Sequence, residues 1–144
     1  MRGILGEYRA TAYDDKAVRD VCYNCNSPVA KQSYNYFRRL LFQSGDKVWS
    51  KVWYDGATPV AFYFASRCRA HCRLIEIAVR QEYKGKGVGK AALFDLLTRM
   101  KQSGLYKLTF RTPIGEDAQN FWLHVGAKII DVKGNDYEME LTIK

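Results

Sequence analysis

The 144 residues of the chain are enough for one domain, because domains cluster near 100 to 200 residues, and we expect a single domain over residues 1–144. The composition, 47% hydrophobic and 26% charged, is that of a globular protein and excludes a disordered, collagen-like or coiled-coil chain. Lys and Arg outnumber Asp and Glu by 23 to 15, and this net charge of +8 predicts attraction to anions such as a nucleotide-like ligand or a nucleic acid.

Apolar stretches are short throughout the sequence. The longest, such as Val60 to Ala65, fall far below the roughly 20 residues that span a bilayer. Glu7 and Arg9 stand where a secretory signal would continue its apolar segment. We therefore expect a cytoplasmic protein with no membrane partner, and cysteines in that compartment are reduced thiols.

The first half of the chain alternates between strand and helix signals. Two aspartates precede apolar residues at helical spacing, a Ser-Pro pair marks a helix start, and Asp55-Gly56 is a hairpin turn. The predicted elements are a strand over Ile4–Tyr13, a helix from Asp14 to Cys25, a helix from Ser27 to Gly45, and strands over Val48–Tyr54 and Val60–Ser66.

The second half reads as strand, helix, strand, helix and hairpin. Apolar residues recur at helical spacing before Gly104 and Gly126, and the C-terminus alternates with a period of two. The predicted elements are strands over Leu74–Val79 and Lys107–Thr112, helices around Leu93–Met100 and Ala118–Val125, and a hairpin of Lys128–Val132 with Tyr137–Ile143 around a Lys133-Gly134-Asn135 turn.

Residues 79–93, VRQEYKGKGVGKAAL, join a strand end to a helix through three glycines. Glycine lets a ligand approach the backbone, and the N-terminal N–H groups of the following helix favour a phosphate or pyrophosphate. Lys84, Lys86 and Lys90 add positive charge to this predicted anion site. The alternative is a glycine-rich turn whose lysines are merely solvated.

Two familiar nucleotide motifs do not fit this loop. A P-loop requires a hydroxyl residue after its lysine, and here Ala91 follows Lys90. A dinucleotide-binding G-x-G-x-x-G fingerprint opens a parallel unit, whereas this loop follows predicted antiparallel strands and lacks the final spacing.

The loop resembles the signature [RQ]-x-x-G-x-[GA] of the GNAT superfamily of acyl-CoA-dependent N-acyltransferases, with Lys84 in place of Arg or Gln. The order of elements is similar along essentially the whole chain. The resemblance implies an α/β GNAT fold, with a mixed, mainly antiparallel central sheet and helices on both faces. It further implies acetyl-CoA as co-substrate, and splayed fourth and fifth strands. The implied contacts are backbone N–H groups of Lys84, Gly85, Lys86, Gly87, Val88, Gly89 and Lys90 on the pyrophosphate, and Ile77, Ala78 and Val79 along the pantetheine arm.

Two residues are candidates for the general base that an amine acceptor needs. Glu76 interrupts an apolar strand where the family often carries an acidic or histidine base; alternatively, its carboxylate points to solvent or pairs with Arg73 or a lysine. His71 titrates near neutral pH, but a lone histidine at a hairpin end is commonly a surface residue. His124 is a weaker candidate because it faces away from its helix's apolar stripe.

The sequence departs from the family pattern at the acid that would protonate the departing thiolate. Trp122 stands where family members commonly have Tyr, and Gly115 where they have Asn. An indole cannot give up a proton, so Trp122 either hydrogen-bonds sulfur or packs in the core.

The cysteines form two pairs, Cys22 with Cys25 and Cys68 with Cys72, with His71 inside the second. Such spacing is similar to zinc ligation. However, the first pair continues a helical apolar stripe, where cysteine serves as a small hydrophobe, so we expect no metal.

The resemblance to the family, whose commonest donor is acetyl-CoA, implies acetyl transfer to a primary amine of a small molecule or protein. Family analogy assigns the acceptor site to Asn24–Tyr36 and the Lys133–Tyr137 turn. The alternatives are a GNAT-like transferase that modifies nucleic acid, and a noncatalytic basic nucleic-acid-binding module stapled by zinc, both suggested by the charge and the RCRAHCR segment. The sequence leaves the oligomeric state open, a dimer included.

Overall fold

The computed structural model of the protein describes residues 8–11, 14–25, 34–36, 39, 47–115 and 117–143. The strands are β1 (Arg9–Thr11), β2 (Val48–Asp55), β3 (Thr58–Arg67), β4 (Cys72–Val79), β5 (Lys107–Pro113), β6 (Lys128–Lys133) and β7 (Asp136–Thr142). The longer helices are α1 (Asp15–Tyr23), α2 (Val88–Gln102) and α3 (Asp117–His124), and a 3-10 turn over Gln81–Tyr83 precedes α2.

Every predicted element that falls within these residues is present, with ends shifted by a few residues. The predicted first strand is confirmed only at β1, and the rest of Ile4–Tyr13 lies outside the described residues except for Tyr8. The predicted helix from Ser27 to Gly45 also lies outside them, apart from helical residues 34–36 and 39.

The strands form one seven-stranded sheet in the order β1-β2-β3-β4-β5-β7-β6. Neighbouring strands are antiparallel except β4 and β5, which are parallel. The mixed, mainly antiparallel sheet is therefore confirmed. None of the described helices is long and apolar enough to cross a membrane.

Helix α1 covers one face of the sheet. Asp14 caps its N-terminus by accepting a hydrogen bond from the Ala17 N–H at 3.3 Å, as expected of a short acidic side chain at that position. Its apolar stripe, which includes Cys22 and continues to Cys25, is fully buried against Phe62 and Phe64 of β3. The prediction that these two cysteines lie in a helical core stripe is confirmed.

Helices α2 and α3 cover the opposite face. The inward side of α2 buries Val88, Ala92, Leu93, Leu96 and Met100 in a cluster that also contains Tyr63 of β3 and Phe110 of β5. Trp122 of α3 packs on Phe110 with ring centroids 4.1 Å apart. The sheet thus lies between two hydrophobic cores, and helices flank both faces as predicted.

Candidate functional site

The parallel strands β4 and β5 are hydrogen-bonded partners over only two positions. Cys72 pairs with Leu108 and Arg73 with Thr109, after which the two strands diverge. The remainder of β4 keeps its β3 partner, and the remainder of β5 keeps its β7 partner. The facing edges beyond Arg73 and Thr109 therefore border an opening in the middle of the sheet, here called the splay.

A β-bulge determines which way Glu76 points. Ala65 of β3 pairs with Leu74, but the preceding residue of β3, Phe64, pairs with Glu76, so Ile75 is an extra residue in β4. Strict alternation would place Glu76 on the same face as Leu74, beneath α2. The bulge reverses this, and Glu76 shares the α1 face with Phe64, while Ile77 and Val79 pack into the α2 core.

The surroundings of Glu76 favour its neutral form. Burial raises the pKa of its carboxyl group to about 7, and a hydrogen bond from the Ile77 N–H at 3.1 Å and the charge of Lys84 oppose this rise. Arg73, one of its expected salt-bridge partners, pairs instead with Glu138. A carboxyl group that titrates near neutral pH beside an open strand edge suits a general base.

The glycine loop lies at the C-terminal end of β4. Gly87 caps α2 with φ of +80°, a left-handed conformation that glycine adopts without strain, and no side chain caps the helix. The first N–H groups of a helix have no partner within it, so those of Val88, Gly89 and Lys90 are available to a ligand. A Cβ on Gly89 would lie 3.4 Å from Val79 Cγ2, which shows how closely α2 approaches β4.

The three loop lysines differ in what they contact. Lys86 and Lys90 lie near the aromatic rings of Tyr83 and Phe94, at 5.5 and 6.0 Å from the ring centroids. Lys84 instead donates through its ammonium group to the Cys25 carbonyl, and its backbone N–H donates to Gln81 O at 3.2 Å. The backbone N–H of Lys84 is therefore engaged in the 3-10 turn, its ammonium group keeps further donors, and its place in the pyrophosphate site stays a prediction.

The C-terminal end of α1 is bonded to the segment between β4 and the glycine loop by polar contacts that the sequence did not reveal. Arg80 Nη1 lies 2.7 Å from Asp20 Oδ2 and its Nε lies 3.0 Å from Glu82 Oε2. The Gln81 N–H donates to Asn24 O at 2.8 Å. These bonds fix the α1 side of the splay relative to the glycine loop.

The second expected base, His71, lies at the other end of β4. It sits in the β3–β4 turn, where its carbonyl accepts a hydrogen bond from the Cys68 N–H at 2.9 Å. Four residues separate it from Glu76, and these five steps along the chain span at most about 16 Å at ~3.3 Å per step. The structure therefore brings Glu76 but not His71 to the splay and the glycine loop.

Trp122 packs in the core, the second of the two roles considered for it. It is buried against Phe110 and against Phe121, whose ring centroid lies 5.0 Å away. His124 on the same helix is exposed.

Sequence reasoning missed Thr112 on β5. This residue is 1% exposed, and its Oγ1 is the one buried side-chain oxygen or nitrogen without a hydrogen-bond partner among the described residues. A threonine in a β-strand is too common to attract notice, so no sequence signal marks it. A buried hydroxyl without a partner beside the splay fits a site that receives a polar ligand group.

Parts of the expected acceptor site lie nearby. The turn between β6 and β7 adjoins the splayed end of β5, because the Ile114 N–H donates to Asn135 O at 3.0 Å. Of the expected segment Asn24–Tyr36, the structure describes Asn24, Cys25 and residues 34–36, and the remainder lies outside the described residues.

The four cysteines are free thiols in the structure. Among the described residues no group of three or more His, Cys, Asp or Glu side chains could hold a metal ion. Burial raises the pKa of both Cys22 and Cys72 to about 12, which disfavours the thiolate that binds metals.

A groove of about 560 Å³ lies elsewhere, between α1 and the β2–β3 hairpin. Its lining combines Asp14 and Asp20 with Lys16 and Arg19, and includes neither Glu76 nor the glycine loop. Its charges are mixed, and one of its main polar groups, Asp14, already accepts a hydrogen bond from Tyr54 at 2.7 Å. We therefore place the candidate site at the splay.

Comparison with known proteins gives a family and a fold. The family model described as the acetyltransferase (GNAT) family matches residues 16–127. No curated protein matches the sequence. The structure is similar to PaiA N-acetyltransferase from Thermoplasma acidophilum in complex with coenzyme A, with a TM-score of 0.77 and 16% identity over 94% of this chain and 98% of that one.

Two further solved structures have the same fold. The ribosomal-protein-S18-alanine N-acetyltransferase from Escherichia coli has a TM-score of 0.76 and 14% identity, with 94% of each chain covered. An aminoglycoside 6'-N-acetyltransferase complexed with coenzyme A has a TM-score of 0.71 and 13% identity, covering 94% of this chain and 97% of that one. At these identities the likeness concerns the fold.

Proposed function

The chain belongs to the acetyltransferase (GNAT) family, and from this premise we propose that it transfers an acetyl group from acetyl-CoA to a primary amine. The observation that carries the proposal is the meeting of three features on one strand. β4 ends at the glycine loop, its edge is open to the splay, and Glu76 stands on that edge with a pKa of about 7. Two of the similar structures were solved with coenzyme A.

In this proposal the loop and the strand edge hold the co-substrate. The free N–H groups of Val88, Gly89 and Lys90, aided by the positive end of the α2 dipole, bind the pyrophosphate. Lys86 and Lys90 add charge. The open edge over Ile77–Val79 pairs with the amides of the pantetheine arm and so brings the thioester beside Glu76.

Glu76 then acts on the acceptor from the α1 side of the sheet. An amine attacks only in its neutral form, so its proton passes to the Glu76 carboxylate, directly or through a water molecule. The acceptor is a small molecule or a protein amine that approaches between α1 and the β6–β7 turn. Nucleic acid is a weaker candidate, because Arg73 of the basic segment is neutralised by Glu138.

The reaction itself is tested by thiol release from acetyl-CoA in the presence of pooled amines: small polyamines, amino acids, aminoglycosides and N-terminal peptides. We expect amine-dependent thiol release and a product mass increased by one acetyl group. A protein that binds no CoA in a calorimetric titration and releases no thiol with any amine would contradict the proposal.

The pyrophosphate site is tested by Gly87→Val with Gly104→Val as its control. Both glycines have positive φ, +80° and +76°, both lie at ends of α2, and neither has an atom within 4 Å of an added Cβ. The two variants therefore suffer similar backbone strain. We expect calorimetry to detect a loss of CoA affinity of roughly 100-fold or more only in Gly87→Val, because several charge-assisted hydrogen bonds depend on the loop's shape. Equal affinities in both variants would contradict this assignment.

A further inference from the structure

The splay has a second polar side chain, on the rim opposite Glu76. Arg73 and Thr109 are the last paired residues of β4 and β5, and Glu76 and Thr112 each follow them by three residues. Because Ile75 is an extra residue, Glu76 lies about two strand positions beyond Arg73, and Thr112 lies three beyond Thr109. The two side chains therefore stand within about one strand position of each other along the opening, one on each strand.

Thr112 and Glu76 point to opposite faces of the sheet. Leu108 and Phe110 of β5 lie in the core beneath α2 and α3, and the two-residue period of a strand places Thr112 on that same face. Glu76 faces α1 because of the bulge at Ile75. A thioester lying in the splay would thus have a carboxyl group towards one face and a hydroxyl group towards the other.

The Thr112 hydroxyl has no partner among the described residues, whereas its neighbour Thr109 has one. Thr109 Oγ1 accepts a hydrogen bond from Arg73 Nη1 at 3.3 Å. Leaving a buried hydroxyl unpaired costs about 1–3 kcal/mol of folding free energy, so the Thr112 hydroxyl does not stabilise the strand that carries it. A bound group that supplies the missing partner removes this cost.

We propose that the Thr112 hydroxyl donates a hydrogen bond to the sulfur of CoA as it departs, which makes Thr112 a catalytic residue of the reaction. This inference rests on the proposed function. As the amine nitrogen bonds to the carbonyl carbon, the C–S bond breaks and its electron pair stays on sulfur. Glu76 already holds the proton whose loss made the amine neutral, so the second proton that the nitrogen loses goes to solvent water, and Thr112 keeps its own proton. A hydrogen bond to an anion is stronger than one to a neutral group, so the contact stabilises the thiolate more than the thioester.

The position of Trp122 explains why another residue would have to stabilise the thiolate. The indole at the position where the family commonly has a tyrosine is packed on Phe110, two residues before Thr112 on the same face. An indole is a donor through one nitrogen and cannot lose that proton at neutral pH. Because the pKa of a thiol is only about 8.5, sulfur can depart as a thiolate, so a hydrogen bond is sufficient and no proton needs to be transferred.

The test compares Thr112→Val, which removes the hydroxyl, with Thr112→Ser, which keeps it, and with Thr109→Val as the control on the same strand. Ultraviolet absorbance of bound CoA against pH reports the pKa of its thiol. We expect this pKa to rise by about one unit in Thr112→Val only, and kcat to fall roughly 10- to 100-fold, the worth of a hydrogen bond to a charged group. Thr112→Ser should stay within a few-fold of the natural protein.

Stability separates this role from a structural one. Thr112→Val should be as stable as the natural protein or more so, since it removes an unpaired buried hydroxyl, whereas Thr109→Val should be less stable with an unchanged thiol pKa. Loss of stability in Thr112→Val would overturn the inference, because it would reveal a protein partner for the hydroxyl. So would an unchanged thiol pKa and kcat in that variant.

A measurement on the natural protein needs no variant. At pH 9 it should bind CoA more tightly than desulfo-CoA, which lacks the sulfur, by roughly 10-fold or more. Equal affinities for the two would overturn the role of Thr112 while leaving the proposed function intact. Absence of binding to both would overturn the proposed function, and this inference with it.

Discussion

The polar side chains of β4 and β5 have different surroundings in the paired half, up to Arg73 and Thr109, and in the splayed half beyond them. In the paired half, Arg73 bonds both oxygens of Glu138, with Nη2 to Oε1 at 3.0 Å, and also the Thr109 hydroxyl. In the splayed half, Thr112 has no described partner, and burial disfavours the charge of Glu76. At one end, β4 and β5 thus share a hydrogen-bonded network with Glu138 of β7. At the other end they carry an unpartnered hydroxyl and a carboxyl group bonded by the Ile77 N–H of its own strand, as expected where one end supports the fold and the other receives a ligand.

The difference teaches how a sheet interior can hold a site without a large cavity. Ending the parallel pairing after Thr109 opens backbone edges, and one extra residue at Ile75 turns a carboxyl group to the opposite face. Neither change requires an unusual residue type. Each prediction below changes one half of the pair and leaves the other intact.

The largest expected effect is on turnover, from Glu76→Gln in the splayed half. Without its base, the variant should keep CoA affinity and lose roughly 10²- to 10⁴-fold in kcat at pH 7. The loss should shrink at high pH, because an acceptor amine with a pKa of about 10 becomes neutral in solution. Steady-state kinetics from pH 6 to 10 measure both.

His71→Ala is the matched control, since His71 lies in the β3–β4 turn just before β4, away from Glu76 and the splay. It should leave kcat within a few-fold. A large loss of kcat in His71→Ala together with a nearly natural kcat in Glu76→Gln would show that His71, not Glu76, is the base. Full activity in both would mean that the amine arrives already neutral and that the protein acts by positioning alone.

A smaller effect, on stability, is expected from Arg73→Met in the paired half. Glu138 has 14% side-chain exposure, and removal of its bidentate partner leaves it largely buried, with Arg111 at 3.7 Å as its one remaining cationic partner among the described residues. The free energy of unfolding in urea should fall by about 2–3 kcal/mol, while CoA affinity stays within about twofold. Lys107→Met, whose ion pair with Glu140 is exposed and 3.9 Å long, should cost at most about 0.5 kcal/mol. A loss of CoA affinity in Arg73→Met would erase the distinction between the halves.

The smallest effect is the pH dependence of stability that Glu76 imposes. Its pKa is about 7 in the folded protein and 4.5 as the reference for the unfolded chain, so the folded state binds the proton more tightly. The contribution of Glu76 to the free energy of unfolding is therefore fully present below pH 4.5 and is lost as the pH rises through 7. Glu76→Gln should be more stable than the natural protein by about 1–2 kcal/mol at pH 8, and this advantage should vanish towards pH 5. Urea unfolding at both pH values measures it, and an equal difference at both would contradict the folded pKa.

Much of the fold could be predicted from hydrophobic periodicity and turn residues. The capping Asp14, the hairpin turn at Asp55-Gly56 and the helix stop at Gly104 each act through nearby backbone, so their signals are local. The glycine loop could be identified for the same reason, since its three glycines and the following helix are contiguous in sequence.

The rest of the site depends on register, which the sequence does not display. Alternation along β4 gives no hint that Ile75 is a bulge, and so none that Glu76 faces α1. The engagement of Lys84 by the Cys25 carbonyl joins residues 59 positions apart. Thr112 is distinguished only by a partner it lacks, which is a property of the folded protein.

The most direct test of the central claim is an amide NMR titration of the natural protein with CoA. We expect the backbone amides of Ile77–Val79 and Gly85–Lys90 to shift, because they border the splay and the glycine loop. Those of Cys72, Arg73, Leu108 and Thr109, in the paired half, should stay in place. Shifts confined to the paired half, or to the groove beside α1, would contradict the account.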